Sequence, residues 1–126
     1  MSLLLHPVSA HALEALKNNL PQSLLLYGAL GVGLGTAAKW LAGSELTDYL
    51  SPQDAKGQPV ASGTIGVEMI RGLYEQTRSR SKRRQIVIID DADRMSKGAS
   101  AAFLKLLEEP GSTIHFILTS HRPQLL

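Results

Sequence analysis

The chain has 126 residues, 44% of them hydrophobic and 19% charged, a balance that fits one small globular domain and excludes a disordered chain. A formal net charge of +2 is too small to argue for nucleic-acid binding by itself, although the pI is about 9.1. The lack of any cysteine excludes disulfides and cysteine-ligated zinc, and no apolar run comes near the roughly 20 residues of a membrane span.

The opening residues 1–7 (M-S-L-L-L-H-P) lack a basic segment and a long apolar core, so they are not a signal peptide and a cytoplasmic location is expected. Ser9 is placed to cap a helix that carries Leu13, Leu16 and Leu20 on one face, and Pro21 ends it. Ser23–Tyr27 then reads as a short buried strand.

A glycine-rich loop follows: Gly28, Ala29, Leu30, Gly31, Val32, Gly33, Leu34, Gly35 and Thr36 lead into a second helix. Such a loop between a strand and a helix lets bare backbone N–H groups face a phosphate. The spacing of Gly28, Gly31 and Gly33 fits the P-loop frame G-x-x-x-x-G-K-[ST], but Leu34 stands where the lysine belongs and Gly35 where the Mg²⁺-binding hydroxyl belongs. Thr36 comes one place late. Lys39 lies five positions beyond Leu34, roughly 7–8 Å along a helix, and is a poor substitute. A dinucleotide-binding reading through Gly31 and Gly33 fails at Thr36, and neither Asp48 nor Asp54 closes an apolar strand as that reading requires.

Residues 43–64 are the least regular, with Leu46–Leu50 as a short strand and loop signals at Pro52, Gly57 and Pro59. Ile65 leads into an amphipathic helix through Ile70, Leu73, Tyr74 and Thr77. Residues 78–84 (R-S-R-S-K-R-R) hold five of the thirteen basic residues. They form either a solvated turn or a patch facing DNA or a partner.

Residues 85–89 (Q-I-V-I-I) run into Asp90 and Asp91. A continuous β-branched run reads as a strand covered on both faces, and the carboxyl ends of such strands are where open α/β sheets place ligand chemistry. The two aspartates either hold a hydrated Mg²⁺ or begin a turn and cap the helix that follows. Ser96 can cap a helix containing Ala99, Phe103, Leu104, Leu106 and Leu107, stopped by Pro110 and Gly111. Residues 113–118 form a further strand that ends in polar Thr119, Ser120 and His121, on the same rim as Asp90 and the glycine loop.

Residues 86–95 (I-V-I-I-D-D-A-D-R-M), 102–110 (A-F-L-K-L-L-E-E-P) and 116–124 (F-I-L-T-S-H-R-P-Q), in that order, resemble the bacterial sliding-clamp loaders. More narrowly they are similar to the nucleotide-binding-type subdomain of the DNA polymerase III delta-prime and gamma/tau subunits, which are AAA+ proteins. The helix end at 102–110 is the most specific part, and order and spacing hold along nearly the whole chain. The resemblance implies a three-layer α/β P-loop fold of the AAA+, RecA-like kind, a parallel sheet with flanking helices. Residues 1–126 then correspond to a single truncated subdomain with the family's fifth strand and helical lid missing. In the family's strand order 5-1-4-3-2, that leaves Ser23–Tyr27 as an open edge, and self-association through it is expected.

Residue by residue, the resemblance puts Asp90 on the metal-holding Walker B aspartate and Asp91 where catalytic members carry a water-activating glutamate. Aspartate is one methylene shorter, which sets its carboxylate back from an attacking water. Thr119 or Ser120 falls on the polar sensor. Gly28, Gly31, Gly33, Leu34, Gly35 and Thr36 fall on the Walker A loop. The missing lysine and hydroxyl point to delta-prime over gamma/tau. No zinc is expected, because the four cysteines of the family's zinc module are absent. The chain also stops at Leu126, before the family's Ser-Arg-Cys segment, whose arginine delta-prime offers to a neighbour's ATP site.

The implied function is that of a structural subunit in loading the sliding clamp during DNA replication, with no ATP hydrolysis and no cofactor of its own. Its implied partners are other clamp-loader subunits and, through them, the clamp and primer–template DNA. The competing readings are an active gamma/tau-type ATPase using Mg²⁺-ATP and a dinucleotide-binding enzyme. A P-loop without its cation gives up much of the electrostatic stabilisation on which phosphoryl transfer rests.

Overall fold

The apolar runs become strands of one sheet. The computed structural model describes residues 4–7, 10–28, 33–79, 84–108, 114–122 and 125. Its strands are β1 (Leu4–Pro7), β2 (Ser23–Tyr27), β3 (Leu46–Leu50), β4 (Gln85–Ile89) and β5 (Ile114–Ser120), all parallel, in the order β1-β2-β5-β4-β3. The helices are α1 (Ala10–Asn18), α2 (Leu34–Ala42), α3 (Val67–Ser79) and α4 (Lys97–Leu107).

Successive strand side chains point to opposite faces, so each continuous apolar run feeds two cores at once. Leu24, Leu26, Ile86, Ile88 and Ile117 pack with Leu16 of α1 and with Leu34, Ala38 and Leu41 of α2. Leu25, Val87, Ile89, Phe116 and Leu118 pack on the other face with Ile70 and Leu73 of α3 and with Ala99, Phe103 and Leu106 of α4. There Phe103 meets Phe116 edge to face, centroids 5.1 Å apart at 89°, a favoured aromatic geometry. The result is the expected three-layer P-loop arrangement, with strands β2, β5, β4 and β3 in the AAA+ order.

One expectation fails at the sheet edge. Ser23–Tyr27 is not open, because β1 pairs with it from Leu4↔Leu24 to Pro7↔Tyr27. The place beside β2 is filled by the chain's own N-terminal side, so Ser23–Tyr27 is an inner strand and β1 is the outer one. The run of leucines at residues 3–5 was too short to be read as a strand alone, and Pro7 at its end suits an edge position, where a missing N–H is tolerated.

Local signals held unevenly. Ser96 caps α4 as expected, its Oγ accepting from the Ala99 N–H at 3.1 Å. Leu104, on the same helix, faces outward and is 58% exposed. α1 ends at Asn18, before Pro21. Ser9 and residues 80–83 of the basic run lie outside the described residues, while Arg84 pairs with Glu45 at 3.2 Å. The stretch between β3 and α3 is ordered by short-range bonds: Gln53 and Thr64 exchange backbone hydrogen bonds, and Asp54 Oδ1 accepts from the N–H groups of Lys56 and Gln58. Arg94 fastens its end by donating to the carbonyls of Ser62 and Gly63. Among the described residues no helix is long and apolar enough to cross a membrane.

Candidate functional site

The carboxyl ends of β3, β4 and β5 and the start of α2 meet on one rim. Parallel register brings Ile89 beside Leu118 and Leu50 beside Ile89. The Asp90 N–H then donates to Leu50 O at 2.8 Å and extends the ladder by one residue. Asp90 therefore leaves the sheet between the tips of β3 and β5.

Both its carboxylate oxygens are engaged by hydroxyls. Tyr49 Oη donates to Oδ2 at 2.7 Å and Thr119 Oγ1 donates to Oδ1 at 2.5 Å. Thr119, fully buried, also accepts from the Asp91 N–H at 3.0 Å. Tyr49 reaches this point because a β-bulge at the start of β3, where Leu46 pairs with Ile86 but Asp48 with Val87, sets its side chain on the α2 face. Burial, followed by the hydrogen bond to Asp90 and the charges of Asp90 and Asp91, pushes the Tyr49 pKa far above the usual phenol range. The phenol stays a donor at any physiological pH. Lys39 Nζ sits over the Tyr49 ring, 4.6 Å from its centroid, in a cation–π contact.

Asp91 is the one non-glycine residue among those described with a left-handed backbone, at φ 52 and ψ 53, a conformation that aspartate tolerates better than most. Its carboxyl makes no capping bond to the short 3₁₀ turn Ala92–Arg94 that follows. The expectation that these aspartates cap a helix is therefore corrected: Ser96 caps α4, and Asp90 ties strand tips together. Burial and then the neighbouring Asp90 push the Asp91 pKa up, partly opposed by His121 and Arg94. His121 Nε2 lies 3.9 Å from Asp91 Oδ1, and its Nδ1 lies 3.0 Å from Gly28 O. A carbonyl can only accept, so Nδ1 carries the proton, and the ring links the first glycine of the loop to the tip of β4.

Ser120 and Thr119 part company because strand side chains alternate. Ser120 Oγ donates to Asp93 Oδ1 at 2.8 Å and accepts from the Arg122 N–H at 2.9 Å, while Arg122 Nη2 meets Asp93 Oδ2 at 3.2 Å. Of the two sensor candidates, Thr119 touches Asp90 and Ser120 does not.

Across the rim, Gly33 takes φ 73 at the N-cap of α2 and offers no capping side chain. Leu34 is 2% exposed and belongs to the core beneath α2. The side chain at the P-loop lysine position thus packs instead of reaching outward. A Cβ on Gly35 would lie 3.2 Å from Tyr49 Oη and 3.4 Å from Asp90 Oδ2, so these two groups crowd the space a side chain there would need. Thr36 is exposed, and Gly31 lies outside the described residues. Asp48 accepts from the Tyr49 N–H at 2.8 Å, and Asp54 serves its turn, so neither presents the free acid of a dinucleotide site.

An AAA+ nucleotide site needs a lysine on the phosphates, a hydroxyl and a carboxylate on Mg²⁺. The donor set on this rim does not fit that group: position 34 is apolar and buried, position 35 has no side chain, and each Asp90 oxygen already accepts a hydroxyl. Sequence reasoning named Asp90, Asp91, Thr119 and the loop, but missed Tyr49, Asp93 and His121. Asp93 and His121 adjoin residues already singled out. Tyr49 becomes visible only once strand order and register are known.

A family model described as "DNA polymerase III, delta subunit" matches residues 46–126. DNA polymerase III subunit delta' of Yersinia pestis is 33% identical over 89 residues, covering 68% of this chain and 24% of that protein. The subunit delta' of Pseudomonas aeruginosa is 30% identical over 125 residues, covering 81% of this chain and 38% of that protein. The replication factor C small subunit of Aeropyrum pernix is 33% identical over 126 residues, covering 90% and 37%. The chain thus spans between 24% and 38% of the length of these relatives. In fold it is similar to the crystal structure of a DNA polymerase III, gamma subunit-related protein from Thermotoga maritima, with a TM-score of 0.66 at 24% identity over 90% of this chain and 40% of that one. The chain belongs to the DNA polymerase III, delta subunit family.

Proposed function

We propose that this chain serves as a structural, delta-prime-like part of a clamp loader in DNA replication and performs no ATP hydrolysis of its own. The observation that carries this reading is the closed state of Asp90, bonded by Tyr49 and Thr119 beside a Gly35 that supplies no hydroxyl. The buried Leu34 supports it from the other side of the site. Phosphoryl transfer depends on positive charge placed against the phosphates, and a degenerate Walker A loop opposite an engaged Walker B aspartate supplies none. What remains is a three-layer α/β body suited to assembly. Its partners are other clamp-loader subunits, and through them the sliding clamp and primer–template DNA, in the cytoplasm.

Calorimetric titration with Mg²⁺-ATP, paired with a phosphate-release assay, tests the absence of nucleotide chemistry. The expected result is no heat of binding at micromolar ligand and no turnover. Micromolar binding with hydrolysis would replace this reading with that of an active ATPase of the gamma/tau type. Co-purification with DNA polymerase III clamp-loader subunits tests the assembly role, and failure to join them would remove it.

A further inference from the structure

Leu34 and Gly35 leave out the two side chains that would hold a phosphate and its cation, but they do not say what stands in the cation's place. We infer that Tyr49 is a built-in occupant of the divalent-cation position, its hydroxyl holding the Asp90 carboxylate that a metal ion would otherwise take. This rests on the reading above and deepens it, because it assigns the closure of the site to one side chain.

Four features converge on Tyr49. Its Oη lies 2.7 Å from Asp90 Oδ2, on the edge of the carboxylate left over by Thr119. The same Oη would stand 3.2 Å from a Cβ at position 35, the position from which a P-loop hydroxyl reaches the cation. Glycine at 35 is therefore more than a lost ligand: it makes room for the phenol. The bulge in β3 sets the Tyr49 side chain on this face. Lys39, the nearest cation on α2 to the loop, is held at 4.6 Å over the Tyr49 ring and so braces the occupant. Two neutral O–H donors on one carboxylate do for Asp90 part of what a bound cation would do, without a cation.

The test uses Mn²⁺ alone as probe, followed by the loss of its free-ion paramagnetic resonance signal, on the whole chain. Wild type is expected to show no saturable site at low millimolar ion. Tyr49→Ala is expected to gain a saturable site at least about tenfold tighter, the equivalent of the one hydrogen bond removed. Tyr49→Ala with Gly35→Thr is expected to bind tighter still, because the new hydroxyl enters space that Tyr49 has vacated. The gain must disappear in Tyr49→Ala with Asp90→Asn. A folded Tyr49→Ala that titrates like wild type overturns the inference, as does a gain that survives Asp90→Asn.

A second measurement needs no metal. Gly35→Thr is expected to lower the melting temperature in wild type and to cost much less in a Tyr49→Ala background. Equal losses in both backgrounds would show that Tyr49 does not fill that space. The two readings fail separately: hydrolysis of Mg²⁺-ATP by wild type removes the proposed function, whereas unchanged Mn²⁺ binding by Tyr49→Ala removes only the role of Tyr49.

Discussion

At the tips of β4 and β5 the polar side chains are tied to one another: Tyr49 and Thr119 to Asp90, Ser120 and Arg122 to Asp93, and His121 to the carbonyl of Gly28. At the start of α2, on the same rim, the corresponding positions hold an uncapped Gly33, a buried Leu34 and a bare Gly35. In a working P-loop enzyme both regions turn toward one ligand. In this chain each turns toward its own half of the protein, the polar half into a network and the loop half into the core. The difference teaches that two neighbouring parts of one rim can be satisfied in opposite ways, one by hydrogen bonds between polar side chains and the other by burial. Even a half-buried carboxylate is costly unless its oxygens find donors, and the chain supplies Asp90 with two.

The largest expected effect comes from breaking the loop half. If Leu34 is a core residue, Leu34→Ala should cost about 2–5 kcal/mol, as for other buried leucines. Chemical denaturation with an unchanged slope would report this as a shift of midpoint alone. A loss near zero would mean that position 34 is a loop residue free to face a ligand, and the contrast between the two regions would collapse.

Breaking the polar half should cost less. Asp90→Ala removes the acceptor of two hydroxyls, that of buried Thr119 and that of half-buried Tyr49, and each donor left unpaired costs about 1–3 kcal/mol, less whatever bonding water restores. The expectation is therefore a loss of about 2 kcal/mol by denaturant titration. A neutral result would show that the Tyr49 and Thr119 bonds contribute nothing to stability, and that Asp90 is retained for some other purpose.

Much of this contrast was legible in the sequence, and the missing parts have physical reasons. The β-branched run of β4 announces a strand buried on both faces, and the two chemical gaps at Leu34 and Gly35 stand out once the glycine spacing is laid against the P-loop pattern. β1 was not legible, because the four residues Leu4–Pro7 are too few to announce a strand and are marked as one by their pairing with β2. The choice between Thr119 and Ser120 stayed open for a similar reason: alternation assigns them to opposite faces only when register is known. Tyr49 depends on a one-residue bulge, which no hydrophobic period reveals. Short-range pattern located β2 to β5 and the helices, and long-range pairing decided β1 and which side chains share the rim.

Asp91 offers the smallest and most selective way to sharpen the comparison, because among the described residues its carboxyl is the one in this network with no short donor. Its pKa is raised in the folded chain, first by burial and then by Asp90, with Asp93 adding to this and His121 and Arg94 opposing it. A carboxyl with a raised folded-state pKa binds its proton more tightly folded than unfolded. Below the unfolded value of about 3.9 both states are protonated and the group is neutral toward stability. As pH rises from there through the folded pKa, the unfolded chain ionises first and stability falls; above the folded pKa the penalty is complete. Asp91→Asn, which also suits the left-handed backbone at φ 52, should therefore raise the melting temperature at pH 7 by less than the losses above. That gain should shrink as pH is lowered toward about 4. Melting curves of both proteins across that range check it. A gain constant with pH would trace the effect to backbone preference alone, and a loss at pH 7 would mean that Asp91 is held by a donor as Asp90 is.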